Sequence, residues 1–137
     1  LKYINKNRFR KGRLKMKEVN IYIRGICKNT GVYIDKKEGR YAVILEYKGK
    51  HKVIKGQEDG TTSNRMLLEA LMKGIESLKE PCYVNIYTPT NLGFKSKKSP
   101  NSDLIKRICD YAYKNGFELN EIVSKKKQNE LIEILKF

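Results

Sequence analysis

The order in which hydrophobic periods succeed one another is the strongest constraint on how this chain folds. VNIYIRGIC (19–27) alternates and is β-branched, which predicts a strand. RYAVILEYK (40–48) is a second, more apolar strand, and a short turn at 49–50 returns the chain into HKVIKGQ (51–57), an antiparallel partner. The period then changes. Over 63–80, Leu67, Ala70, Leu71, Gly74, Ile75 and Leu78 share one wide helical face, while Glu69, Lys73, Glu76 and Glu80 form a solvent stripe. Pro81 stops that helix. CYVNIYT (82–88) is a fourth strand, whose VNIY repeats the one at 19–22. NSDLIKRICDYAYKNG (101–116) is a helix with Asn101 or Ser102 as N-cap and Gly116 just past its end. FELNEIV (117–123) is a fifth strand, SKKKQ a loop, and NELIEIL a short closing helix. Three strands joined by short turns, then strands alternating with helices, predict an α/β fold with a mixed sheet.

Only the first 17 residues fall outside this pattern. LKYINKNRFRKGRLKMK has no clean period and reads as a basic flexible arm, natural or an upstream extension without function of its own. Residues 18–137 are then one domain. The arm holds 8 of the 30 Lys and Arg and no acid, so the formal charge of +15 falls to +7 for the remainder. A basic excess suits a polyanion, with nucleic acid ahead of an anionic membrane surface. Cys27, Cys82 and Cys109 are odd in number and lack C-x-x-C spacing, which argues against a disulfide framework or a zinc site and points to a reducing bacterial cytoplasm. No apolar run approaches the roughly 20 residues of a membrane span.

The run VNIYIRGIC, then YAVILEY, then a hairpin, then TTSNRMLLEALMKGIESLKEPCYVNIYTPT, resembles type 1 ribonuclease H. That family shows a strand ending T-D-G, a Y-G-A-I-L strand, a T-T-N-N-R-M-E helix, a strand ending T-D-S and a late helix bearing an Asp. The resemblance covers roughly 19–135, and TTSNRM is its most specific part. It implies a five-stranded mixed sheet of order 3-2-1-4-5 with helices on both faces, and binding to RNA–DNA hybrids. It also implies phosphodiester hydrolysis by two Mg²⁺ ions, which need clustered carboxylates to hold them.

Three of the four family carboxylate positions are changed. They fall on Arg24, Leu67 and Pro89, and the fourth on Glu133, or Glu130 if the register slips. Arg24 and Pro89 stand at equal offsets after the two VNIY segments, at the carboxyl ends of adjacent parallel strands, where ligands of open α/β sheets bind. Glu69 lies about 200° around the helix from Leu67 and cannot replace a ligand there. The expected site therefore has no catalytic residue, no metal and no cofactor, with Mg²⁺ expected only if the chain is an active nuclease. Arg24 either binds a phosphate or pairs with Glu133.

The rim Thr61, Thr62, Ser63 and Asn64 holds more hydrogen-bonding groups than one N-cap requires, and by the resemblance contacts sugar, phosphate and 2′-hydroxyl groups. Asn29 is a second candidate contact. Lys125, Lys126 and Lys127 stand where the family has a flexible His-containing loop, and attract phosphate or simply face solvent; Lys95, Lys97 and Lys98 are similar. His51 is expected to be exposed. Tyr22, Tyr47, Tyr83, Tyr87, Tyr111 and Tyr113 are assigned to core and sheet packing. The leading expectation is a monomeric, catalytically silent ribonuclease-H-like domain that binds RNA–DNA hybrid or another duplex. The alternatives are a protein-interaction domain on the same fold, and an active ribonuclease H with a rearranged site.

Overall fold

The computed structural model describes residues 16–29, 37–96 and 98–136. Strands β1 (Lys17–Asn29), β2 (Lys37–Tyr47) and β3 (Lys50–Asp59) form an antiparallel meander. Helix α1 (Ser63–Glu76) leads to β4 (Cys82–Thr88), α2 (Ser102–Asn115), β5 (Glu118–Val123) and α3 (Gln128–Ile134). The sheet order is β3-β2-β1-β4-β5, with β4 parallel to β1 and to β5. The two VNIY segments pair residue for residue, Val19 with Val84 through Tyr22 with Tyr87. Arg24, still paired with Ala42 of β2, thus lies beside the point where the chain leaves β4 after Thr88.

Alternation along β1 sorts the two faces. Ile21 and Ile23 enter the main core with Val43, Val84 and Ile86 of the neighbouring strands, beneath Leu68, Leu71 and Ile75 of α1 and Leu104 and Ile108 of α2. Tyr22 faces the other way and packs with Ala42, Ile44, Leu131 and Leu135 under α3. Helices therefore cover both faces, as expected. Further along the α3 face a polar row crosses the sheet. Asn120 donates to Asn85 at 3.2 Å, Asn85 to Asn20 at 3.1 Å, and Asn20 to Glu46 at 3.2 Å.

Several boundaries differ from the sequence reading. β1 begins at Lys17, which pairs with Cys82 and binds Glu80, so that residue belongs to the sheet and not to the arm. Residues 1–15 lie outside the described residues. The β2–β3 turn is Lys48-Gly49, one residue early, with φ of 47° and 78°, the double positive φ that suits the sheet twist. α1 ends at Glu76 rather than 80, because the Ser77 hydroxyl donates to the Gly74 carbonyl at 2.7 Å and competes with the next helical bond. Tyr113 is 75 % exposed on α2 and is not a core residue. His51 is exposed, bonded to Glu46 at 2.8 Å. Among the described residues no helix is long and apolar enough to cross a membrane.

Candidate nucleic-acid interface

The site is built where β4 runs out beside β1, under the first turns of α1. Gly25 permits the approach: a Cβ there would lie 2.4 Å from the Leu67 backbone nitrogen and 2.6 Å from the Met66 carbonyl carbon. Strand and helix backbones touch directly. This fixes Leu67 against the strand end, where it is 4 % exposed and part of the main core. An acid placed there alone would be buried without a cation to meet it.

Arg24 lies one residue before Gly25, on the α3 face. Its Nη1 donates to Gln128 Oε1 at 3.0 Å. Gln128 is itself buried, and its amide nitrogen donates to the Ile23 carbonyl at 3.1 Å. The expected pairing of Arg24 with Glu133 is not formed. Glu133 sits on the solvent side of α3 and pairs with Lys136 at 2.9 Å. It is five residues past Gln128, about 140° around the helix. Glu130 is equally exposed, 3.9 Å from Lys127. Neither carboxylate supplies the fourth family ligand position; the α3 side chain that reaches the site is Gln128. Pro89 follows β4 directly, and the Thr88 carbonyl accepts from the Ser124 N–H at 2.9 Å, tying the β5–α3 loop to the same edge. Among the described residues no three His, Cys, Asp or Glu side chains come together in a way that could hold a metal ion. Glu38 binds Arg40 on the sheet, and Asp35 lies outside the described residues.

The polar rim divides. Thr61 is only 7 % exposed and is not presented to solvent; its carbonyl accepts from the Cys27 thiol at 3.1 Å. Thr62 is the N-cap, its hydroxyl accepting the Arg65 N–H at 3.2 Å. Ser63 and Asn64 are exposed on the first turn. Asn64 also lines a cleft of about 250 Å³ with Asn91, Ser96, Lys98, Ser99 and Asn101. Arg65, which sequence reasoning passed over, forks across to Asp103 at 3.2 and 3.1 Å and reaches Asn101 at 3.5 Å. That clamp locks the first turn of α1 to the first turn of α2. Its only sequence signal was an Arg beside a cap and an Asp in another helix's first turn. Asn101 is the α2 N-cap residue by position, but makes no capping bond.

The lysine loop is less free than a solvated charge run. Lys126 stands 5.4 Å from the Tyr87 ring centre and 5.9 Å from that of Tyr22, and Lys127 stands 5.3 Å from Tyr22. The two rings stack at 4.7 Å. Lys127 also approaches Glu46 at 3.7 Å. The hydrogen bond from Asn20 holds the Glu46 carboxyl below its usual range, assisted by His51 and Tyr22. Lys125 is exposed. Asn29 closes β1, but its side chain lies outside the described residues, as does Lys97. Lys95 and Lys98 are exposed.

Comparison with known proteins adds a lineage to this geometry. A family model described as RNase H matches residues 16–135. A ribonuclease H of Caldicellulosiruptor saccharolyticus is 51% identical over 74 residues, covering 53% of this chain and 47% of that protein. A ribonuclease H of a Thermoanaerobacter species is 37% identical over 112 residues, covering 67% of this chain and 68% of its own. The chain spans about half the length of the first of these relatives. The crystal structure of LC9-RNase H1, a type 1 RNase H with the type 2 active-site motif, superposes with a TM-score of 0.66 at 19% identity, over 90% of this chain and 72% of that one. LC11-RNase H1 in complex with RNA/DNA hybrid gives a TM-score of 0.64 at 17% identity, over 82% and 92%.

Proposed function

This chain belongs to the ribonuclease H family, and on that premise we propose that it binds RNA–DNA hybrid without cutting it by the two-metal route. The observation that carries the reading is the donor set at the strand ends: Arg24, Leu67, Pro89 and Gln128. Two Mg²⁺ ions need several hard, anionic oxygens. This set offers a cation, a buried hydrocarbon, an imino acid and a neutral amide already committed to Ile23 and Arg24. The residues do not fit the metal pair that the family's chemistry requires.

Hybrid binding is supported from two sides. The fold neighbour LC11-RNase H1 was crystallised with an RNA/DNA hybrid. In this chain Ser63 and Asn64 present hydroxyl and amide groups at a helix start, beside a polar cleft with Lys98 on its wall. Such groups both donate to phosphate and match the 2′-hydroxyl, which donates and accepts. Lys125 and Lys126, and Asn29 at the end of β1, extend the contact surface in this reading. Residues 17–137 are the binding unit, and the basic residues ahead of them add long-range attraction by charge.

The test is fluorescence anisotropy with hybrid, duplex DNA, duplex RNA and an acidic polymer, with salt raised stepwise. A hybrid preference that persists in salt is expected, since non-specific phosphate binding falls steeply there. Equal binding of every polyanion would favour a protein-interaction role. Because relatives carry the name ribonuclease H, hybrid is also incubated with Mg²⁺ and with Mn²⁺. Metal-dependent cleavage would replace this reading by that of an enzyme with a rearranged site. Calorimetry with millimolar Mn²⁺ is expected to show no stoichiometric isotherm in the natural chain. An Arg24→Asp, Leu67→Glu, Pro89→Asp triple variant is expected to acquire one.

A further inference from the structure

We propose that Arg24, set in place by Gln128, is a fixed phosphodiester-binding group that takes one backbone phosphate where β1 passes the carboxyl end of β4. The inference rests on the hybrid-binding reading for the identity of its ligand and names the group at that site which meets the charge.

Gln128 has only one consistent orientation. Its Nε2 donates to the Ile23 carbonyl at 3.1 Å, leaving Oε1 to accept Arg24 Nη1 at 3.0 Å. Flipping the amide would set oxygen against oxygen and donor against donor. The guanidinium is therefore anchored, but on a neutral partner. Among the described residues no carboxylate lies within ion-pairing distance of it, and its Nε is buried with no acceptor. Neighbouring cations are treated differently: Arg65 has Asp103, Arg40 has Glu38, and Lys127 has Glu46. A half-buried charge without a counter-charge is costly, and an incoming anion removes the cost.

Position adds direction. Arg24 stands on β1 just past its parallel pairing with β4, beside the carboxyl end of β4, the side of an open α/β sheet where ligands dock. With one Nη1–H given to Gln128 and Nε buried, the second Nη1–H and both Nη2–H groups are left to meet an incoming phosphate. That end of the guanidinium can still offer two nitrogens to one phosphate.

A purely structural role would make Arg24 a strap for α3. That helix is already held by Leu131 and Leu135 in the core and by the Gln128–Ile23 bond. Strapping would use the length and hydrogen bond of Arg24 without needing its charge, whereas a phosphate needs the charge. Arg24→Met keeps the length without the charge, and Arg24→Lys keeps both without the fork.

Hybrid binding by anisotropy from low to high salt is compared for the natural chain, Arg24→Met and Arg24→Lys, with thermal unfolding of each. Arg24→Met is expected to bind roughly 10-fold or more weaker. Its salt slope should fall by about one phosphate contact. Arg24→Lys should recover part of both, and the Met variant should melt no lower than the Lys variant. Unchanged affinity and slope in Arg24→Met would overturn the proposal while leaving hybrid binding intact. The Arg24 Nε–H resonance is also followed by NMR as dimethyl phosphate is added. If the natural chain shows no hybrid preference, a saturable shift of that resonance still establishes a phosphodiester site. No shift then removes the site together with the hybrid-binding reading.

Discussion

Replacing Gly25 by alanine tests whether the contact of β1 with α1 organises the whole site. The new Cβ would lie 2.4 Å from Leu67 N, 2.6 Å from Met66 C and 2.7 Å from Met66 Cβ. Carbon atoms at optimal contact sit about 3.5–4.0 Å apart. Two of the three obstacles are backbone atoms, so rotamer change cannot relieve them, and the strand and helix must part by about 1 Å. The same helix carries Met66, Leu67, Leu68, Leu71 and Ile75 into the core, so the gap opens along a packed interface. Overpacking typically costs about 1–3 kcal/mol, and immovable backbone places this case at about 3 kcal/mol.

Gly74→Ala is the internal control. Its Cβ would meet Val43 Cγ1 at 3.2 Å and Ile21 Cδ1 at 3.3 Å, both mobile side-chain ends. Alanine also gains about 1 kcal/mol over glycine inside a helix. A near-zero net change is expected. With a urea slope of about 2 kcal/mol per molar, the two variants should unfold about 1.5 M apart. The measurement is equilibrium urea unfolding followed by circular dichroism. Midpoints within about 0.3 M of each other would refute the claim that backbone contact at Gly25 is rigid.

Burial, assisted by the Glu46 carboxylate to which it donates, pushes the Tyr22 phenol up to about 12 from 10.0. The unfolded phenol ionises first, so stability that is whole below pH 10 should be lost as the pH rises to 12; Tyr22→Phe should flatten that limb in a pH series of unfolding curves. Glu46 works at the acid end: its carboxyl lies below its ordinary 4.5, so its contribution is present above that value and lost as pH falls through the lowered one. Glu46→Gln should therefore soften acid unfolding below pH 4.5, read by the same curves. Burial pushes the Cys82 and Cys109 thiols up to about 11; a thiol reagent at neutral pH should reach half-buried Cys27 and Cys109 in the folded chain, and fully buried Cys82 only on unfolding. Three equally fast thiols would contradict the packing of β4.

The sheet was legible because its pairing is written in strand pattern. Two VNIY segments at equal offsets from Arg24 and Pro89 pair in exact parallel register, and the meander ahead of α1 follows from short turns. Element ends were less legible, since they depend on single competing bonds such as the Ser77 hydroxyl on Gly74. The site was legible only where a residue type stood out. Arg24 and Leu67 were visible as misfits against an acid pattern. Thr61 looked like its neighbours in the rim, yet it lies under Gly39, whose added Cβ would meet its methyl carbon at 2.3 Å. Sequence spacing does not report such cross-strand contacts.

Gln128 shows the limit most clearly. In the sequence it stands as the last residue of the loop SKKKQ, while charged Glu130 and Glu133 stand out, because carboxylates are what the family motif demands. Helix rotation decides otherwise: with Leu131 and Leu135 turned into the sheet, Glu130 and Glu133 are carried outward and Gln128 inward. The inward residue must satisfy the Ile23 carbonyl and a guanidinium together. An amide does both, giving a donor to one and an acceptor to the other. A carboxylate would set an oxygen against the Ile23 carbonyl, and a hydrocarbon would leave both groups unpaired. Arg24 and Gln128 are thus a matched pair, and Leu67 is compatible with them because it adds no charge to a pocket without metal. Restoring a single acid at 67 would bury a carboxylate in the core with no cation designed to meet it, whereas changing Arg24, Leu67 and Pro89 together replaces the matched set. The three positions are expected to couple strongly in any mutational cycle, as residues that share one electrostatic site do.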